Sequence, residues 1–132
     1  MRVLVVDDDA DTLEYIATVL QGCEAVVKTV TSAQSALAAI AQFKPDVMLS
    51  DIGMPDIDGY SLIQAVRAIA PSQGDFIPAA ALTAYARPED RTQALQAGFQ
   101  MYLSKPVEPA ELLTVVANLA AIANCNFVKN SL

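Results

Sequence analysis

Residues 1–12 read MRVLVVDDDADT. Four apolar residues, Val3 to Val6, run without alternation into three adjacent carboxylates, Asp7, Asp8 and Asp9. A short apolar run with no polar partner face is the pattern of a strand buried on both sides, as in a parallel sheet. Asp9 or Asp11 is the candidate N-cap of the helix that follows, since an aspartate oxygen there accepts an orphan first-turn amide. Like charges side by side gain nothing in a fold, so the remaining aspartates need another reason to stand together.

The rest of the chain repeats this opening. Leu13, Ile16, Ala17 and Leu20 recur at helical spacing, with Gly22 as the stop. Glu24 to Val30 is a Val-rich second strand, and Ser32 caps a helix with an expected inner face of Leu37, Ile40 and Ala41. That helix ends before Lys44-Pro45, because the residue preceding proline is pushed out of helical geometry. The third strand, Asp46 to Asp51, again ends in a carboxylate, and the loop GMPDIDG, residues 53–59, leads to a helix carrying Leu62, Ile63, Val66 and Ile69. Residues 70–78, APSQGDFIP, are expected as a connecting loop before a fourth strand, Ala79 to Leu82, that ends in Thr83. Pro88 starts a helix that stops near Gly98. Met101 to Ser104 is the fifth strand, closed by Lys105-Pro106. Pro109 then opens a last helix through Leu112, Leu113, Val116, Leu119 and Ala120. Strand and helix alternate throughout, which makes the class α/β, an open parallel sheet with helices on both faces. Residues 1–123 form one domain, and residues 124–132, NCNFVKNSL, are expected as a tail or linker stub.

Composition narrows the chemistry. The 132 residues suffice for one domain with a substantial core. Fifteen acidic against 8 basic residues give a formal charge of −7, which disfavours direct binding to nucleic acid or to an anionic membrane. The start of the chain lacks the charged and long apolar segments of a leader, and no run approaches a membrane span, so a cytoplasmic protein without membrane insertion is expected. Cys23 and Cys125 form no CxxC motif, and histidine is absent. Chemistry is left to carboxylates, Lys, Thr and Tyr.

In a parallel sheet all strands end at one edge, and ligands of open α/β sheets bind in the crevice beyond it. Asp7 and Asp8, Asp51, Thr83 and Lys105 follow four different strands to that edge. Each alone has an ordinary explanation as a cap, a strand-end hydroxyl or a solvated charge. Together, crowded carboxylates raise one another's pKa unless a cation sits among them. Oxygen ligands without His or Cys suit Mg²⁺, with Mn²⁺ as a substitute. A carboxylate beside such an ion can attack a phosphoryl group, and Asp51, on the strand expected at the sheet's centre, is the leading nucleophile.

At these residues the chain resembles the receiver domain of two-component response regulators, through LVVDDD, LSDIGMPDIDGYSL, ALTAYA and YLSKPVEPAEL in that order. The resemblance spans residues 2 to about 121. It implies a doubly wound, flavodoxin-like sheet of five parallel strands in the order 2-1-3-4-5. It implies a signalling switch in which Asp51 is the phosphoacceptor, and Asp7, Asp8, Asp51 and the backbone carbonyl of Gly53 hold Mg²⁺. Thr83 and Lys105 then engage the phosphoryl group, and Tyr102 turns inward as Thr83 moves. Output would pass through the fourth helix, fifth strand and last helix, with Arg87, Arg91 and Glu111 as polar rim. The implied partner is a histidine kinase or histidine phosphotransfer protein, with a homodimer formed on phosphorylation as a further option. A membrane-tethered sensor kinase is the expected parent if the chain is a piece of one, since its wording is closer to receivers of hybrid kinases. Such a domain is no conventional enzyme, but catalyses its own phosphorylation and slow autodephosphorylation. Gly53 and Tyr85, two residues after Asp51 and Thr83, are placed to tune that loss of phosphate. The Lys105-Pro106 bond is expected to be cis.

Two other readings compete. A Mg²⁺-dependent phosphatase of the haloacid-dehalogenase kind would carry a second Asp where this chain has Gly53. A phosphorylation-independent interaction module would usually lack one of Asp7, Asp8, Asp51 or Lys105, and all are present. The two cysteines are expected near each other at the far edge of the sheet, with a functional disulfide disfavoured in a reducing compartment.

Overall fold

The computed structural model describes residues 1–54, 57–73, 77–84 and 87–131, the side chains of 69–73 and 124–131 excepted. Pro55, residues 74–76 of the expected loop and Tyr85 lie outside the described residues, as do the side chains of Ile69 and Cys125. The chain runs β1 (Arg2–Val6), α1 (Ala10–Gln21), β2 (Val26–Val30), α2 (Ala33–Phe43), β3 (Val47–Asp51), α3 (Gly59–Gln73), β4 (Ala79–Thr83), α4 (Pro88–Ala97), β5 (Met101–Ser104) and α5 (Pro109–Ser131). The strands form one parallel sheet in the order β2-β1-β3-β4-β5.

Alternate strand residues feed two cores, because successive side chains of a strand point to opposite faces. Val3 and Val5 of β1, Val47 and Leu49 of β3, and Ala80 and Leu82 of β4 meet Leu13, Ile16 and Leu20 of α1 and Leu112, Val116 and Leu119 of α5. Leu4, Val6, Met48, Ala79 and Ala81 meet α2, α3 and the C-terminal end of α4, including Leu62, Ile63, Val66 and Phe99. All four residues Val3 to Val6 are fully buried, as the unbroken apolar run requires. Each large aliphatic side chain so buried stabilises the fold by roughly 1.5–3 kcal/mol.

Local signals place most boundaries. Asp9 is the N-cap of α1, its Oδ1 accepting from the Asp11 amide at 3.1 Å, and Ser32 caps α2 through the Ser35 amide at 3.1 Å. Strand β2 starts at Val26 rather than Glu24, because Glu24 occupies a left-handed turn with φ 66°. Asp46 stays outside β3 and accepts the Arg2 amide at 2.8 Å through Oδ2.

Two expectations are corrected. Ala41 is exposed, and the inner face of α2 is Ala33, Ala36, Ala39 and Ile40 with Leu37 partly buried. Around the helix axis these residues form one arc from Ala39 to Leu37, and Ala41 falls roughly 40° beyond its edge. Helix α3 extends through Pro71 to Gln73, so the first part of the expected loop is helical. Proline sits there in the last turn. The backbone of residues 124–131 continues α5, since no Gly or Pro interrupts the stretch to stop the helix.

One structural residue had no counterpart in the sequence reading. Arg67 of α3 donates to the Gly98 carbonyl from Nε at 3.1 Å and Nη2 at 2.9 Å, to the Ile77 carbonyl at 2.6 Å, and to Gln100 Oε1 at 2.9 Å. Gln100 Oε1 also accepts the Ala79 amide at 2.8 Å. The guanidinium thus ties α3 to the beginnings of β4 and β5, at the sheet edge opposite the candidate site. Burial lowers its pKa to about 10, which leaves it cationic at neutral pH.

Candidate functional site

The strand order reverses between β1 and β3, where the chain returns from the outer strand β2, and the crevice opens above their C-terminal ends. The register pairs Val6 with Ser50, Asp51 with Leu82 and Thr83 with Ser104. Asp7, Asp51, Thr83 and Lys105 therefore arrive at the same edge from four strands, Thr83 one residue and Lys105 two residues beyond the level of Asp51. The Asp7 amide donates to the Val30 carbonyl at 3.2 Å, and the Lys105 amide to the Thr83 carbonyl at 2.8 Å, so both leave the sheet under restraint. The Lys105-Pro106 bond is cis, as expected.

Lys105 Nζ lies 2.9 Å from Asp7 Oδ2 and 3.4 Å from Asp51 Oδ1. Asp7 is completely buried, Asp51 and Thr83 are each 7% exposed, and Asp8 is exposed. Asp7 Oδ1 accepts the Asp9 amide at 2.9 Å, so the turn into α1 itself holds the carboxylate in place. Asp7 Oδ2 is neutralised by Lys105, but that contact falls outside hydrogen-bond angles and leaves the oxygen without a directed donor. Burial raises the Asp51 pKa, as does the Asp7 charge, against the opposing pull of Lys105. Burial works to lower the Lys105 pKa, but pairing with Asp7 and Asp51 outweighs it and holds the ammonium above the ordinary lysine range.

The donor set fits a divalent cation. Carboxylate oxygens of Asp7, Asp8 and Asp51 all lie within 4.8 Å of one another, a set of hard oxygen ligands of the kind such a cation takes. Gly53 is exposed beside it, its amide donating to Asp51 Oδ1 at 3.4 Å, and a Cβ built there would meet nothing within 4 Å. Tyr102 is half-buried on β5, paired in register with Ala81.

A model of the response regulator receiver domain matches residues 3–117. The chain belongs to the response regulator receiver domain family. This receiver domain is 45% identical over 116 residues to an uncharacterized 14.6 kDa protein of the sodA1 3′ region of Leptolyngbya boryana, covering 88% of this chain and 87% of that one. It is 35% identical to the sensor protein GacS of Pseudomonas syringae pv. syringae and 37% identical to the transcriptional regulatory protein PrrA of Mycobacterium tuberculosis, covering 92% and 89% of this chain. It spans only 14% of GacS and 49% of PrrA. A sensor and a transcriptional regulator thus match almost equally. Among solved structures, the chemotaxis response regulator CheY4 of Vibrio cholerae superposes with a TM-score of 0.82 at 30% identity, covering 89% of this chain and 97% of that one. A CheY-like receiver domain protein of Methanospirillum hungatei JF-1 gives 0.83 at 28%, covering 93% and 95%.

Two contributions to the receiver site were not read from the sequence. Gly59, read from the sequence only as the end of the loop before α3, is where α3 approaches β3 too closely for a side chain: a Cβ there would overlap the Asp51 carbonyl oxygen and lie 2.8 Å from Ile52 Cα. The clue was its place eight residues after Asp51, following Asp58, whose Oδ1 accepts the Ser61 amide at 2.9 Å as a cap does. Arg91 of α4 lies over the Tyr102 ring, 4.6 Å from its centroid, and sequence spacing gives no sign of that contact. Among the described residues no helix is long and apolar enough to cross a membrane.

Proposed function

We propose that this receiver domain takes a phosphoryl group onto Asp51 from a phosphohistidine of a partner, and that the resulting acyl phosphate shifts the domain between two conformations. An Asp51 carboxylate oxygen attacks phosphorus in line with the phosphohistidine P–N bond. The P–O bond forms as the P–N bond breaks, and the imidazole leaves with the electron pair. The observation that carries this reading is Lys105 Nζ set between Asp51 and Asp7, at 3.4 and 2.9 Å, beside a buried hydroxyl at Thr83. The ammonium holds the phosphoryl oxygens and the Thr83 hydroxyl donates to one of them. Burial of Asp51 disfavours its free charge, which makes the carboxylate a better nucleophile.

Asp7, Asp8, Asp51 and the Gly53 carbonyl would hold Mg²⁺, which when bound neutralises charge on the transferring group. The donor must be another protein or module, a histidine kinase or histidine phosphotransfer protein, because this chain has no histidine. Output is assigned to the face of α4, β5 and α5, where Arg87, Arg91 and Glu111 are exposed. Residues 1–123 make up the working unit, and the helical stretch after it leads out of the domain.

Incubation with acetyl phosphate and Mg²⁺ followed by intact mass tests the reading: one phosphoryl group is expected on the parent and none on Asp51→Asn. Equal labelling of both, or of neither, overturns it. A Mg²⁺ titration followed by amide NMR is expected to perturb the strand ends in the parent and to weaken on Asp8→Ala.

A further inference from the structure

We infer that Ser50, buried on β3 beneath the site, is a positioning residue whose hydroxyl fixes the peptide plane after Asp51 and so the aim of the Asp51 carboxylate; this rests on the phosphoacceptor reading. Ser50 is completely buried, and its Oγ donates to the Asp51 carbonyl at 3.0 Å. A carbonyl inside a sheet ordinarily accepts a ladder amide, so a side-chain donor marks a place where the ladder has failed.

The ladder does fail there. The Met48 and Ile52 amides donate to the Pro78 and Leu82 carbonyls at 3.0 and 3.1 Å, so the even residues of β3 face β4 and the backbone of Asp51 faces β1. Pairing with β1 stops at Val6 and Ser50, because the Asp7 amide turns to the Val30 carbonyl and the chain leaves for α1. The Asp8 amide, next in the ladder, makes no bond to the Asp51 carbonyl. An unpaired acceptor is costly in a residue as buried as Asp51, and the Ser50 hydroxyl takes the place of the missing amide. Gly59 closes on the same oxygen from α3. The peptide unit joining Asp51 to Ile52 is thus held at both ends, its N–H by Leu82 and its C=O by Ser50. Without the hydroxyl it swings about the one remaining hydrogen bond. Such a swing changes the ψ angle of Asp51 and moves its carboxylate relative to Lys105 Nζ, 3.4 Å away, and a small misplacement of a nucleophile lowers the rate of its attack.

The test is the rate of labelling of the whole chain by acetyl phosphate, followed by intact mass at a temperature where each variant is folded by circular dichroism. At saturating Mg²⁺, Ser50→Ala is expected to be labelled about two- to tenfold more slowly, the range to which one lost hydrogen bond corresponds. The Mg²⁺ concentration giving half the maximal rate should stay that of the parent, since the carboxylates are all kept. Ser50→Thr and Ser50→Val share one shape and differ in the hydroxyl, so Ser50→Thr should be labelled faster than Ser50→Val by a similar factor, whatever the added bulk does to the fold. In NMR spectra of Ser50→Ala the Asp51 carbonyl carbon should move upfield, as a carbonyl does on losing a donor. Equal rates for Ser50→Ala and the parent, equal rates for Ser50→Thr and Ser50→Val, or an unmoved Asp51 carbonyl resonance overturn the positioning role while leaving Asp51 as acceptor. A slow rate that extra Mg²⁺ restores overturns it as well, in favour of a loosened metal site. No labelling of the parent, or equal labelling of Asp51→Asn, overturns both readings.

Discussion

The carbonyl oxygen of Asp51 occupies the place where a methyl group on residue 59 would have to lie, with Ile52 Cα 2.8 Å from the same point. Both neighbours are backbone, so neither can rotate aside. The Gly59 amide also donates to the Ile52 carbonyl at 2.9 Å, pinning the start of α3 against the end of β3. Gly59→Ala should therefore cost about 1–3 kcal/mol, as overpacking does, and slow phosphorylation of Asp51 by displacing it. Urea unfolding and the rate of labelling by acetyl phosphate are the measurements. An alanine variant as stable and as fast as the parent would show that α3 moves away freely.

Asp51 carries a stability cost that can be read as a function of pH. Burial and the neighbouring Asp7 charge raise its pKa above the ordinary value of 3.8. A carboxyl with a raised folded-state pKa leaves stability intact below its unfolded pKa and lowers it as pH climbs through the folded one. In EDTA near neutral pH, Asp51→Asn should thus have a higher urea midpoint than the parent. That advantage should shrink as pH falls towards the ordinary aspartate value, where both side chains are neutral. A lower midpoint for the asparagine variant near neutral pH would contradict this.

Lys105 works in the opposite sense. Its pKa is raised above 10.5, so its contribution to stability is complete below that value and is lost as pH rises through the folded-state one. Lys105→Met leaves Asp7, completely buried, facing Asp51 without a cation. Breaking a fully buried pair costs 3–5 kcal/mol, and partial exposure of Lys105 brings the expected loss to about 2 kcal/mol. Mg²⁺ should restore more of the variant's stability than of the parent's, because it replaces the missing charge. Equal Mg²⁺ responses in thermal melts would count against that arrangement.

Loss of phosphate from Asp51 should be slow. A water in line with the acyl phosphate needs a polar side chain to hold it, and Gly53 supplies none. Space is no obstacle at residue 53, where a Cβ would meet nothing within 4 Å. Gly53→Asn combined with Tyr85→Glu is expected to shorten the lifetime of phospho-Asp51 without preventing its formation. The check is intact mass against time in Mg²⁺ after the phosphodonor is removed; a double mutant decaying no faster than the parent would refute it.

The order of the elements was legible because its signals are local. Val3 to Val6 announce a doubly buried strand, Asp9 and Ser32 are caps that bond within three residues, and Lys44 and Gly98 mark helix ends. Parallel pairing then sends Asp7, Asp51, Thr83 and Lys105 to one edge, so a sequence that specifies its strand ends also specifies which residues can meet. Tertiary packing alone decided how they meet. The 2.9 Å approach of Lys105 to Asp7, the three-way hold of Arg67 on Ile77, Gly98 and Gln100, and the stacking of Arg91 on Tyr102 join residues far apart in the chain. The inner face of α2 and the contact that forbids a side chain at residue 59 likewise depend on the angle and depth at which a helix settles on the sheet. Periodicity encodes which residues turn inward to within about a third of a helical turn, whereas a hydrogen bond or an overlap is made or lost within a few tenths of an ångström.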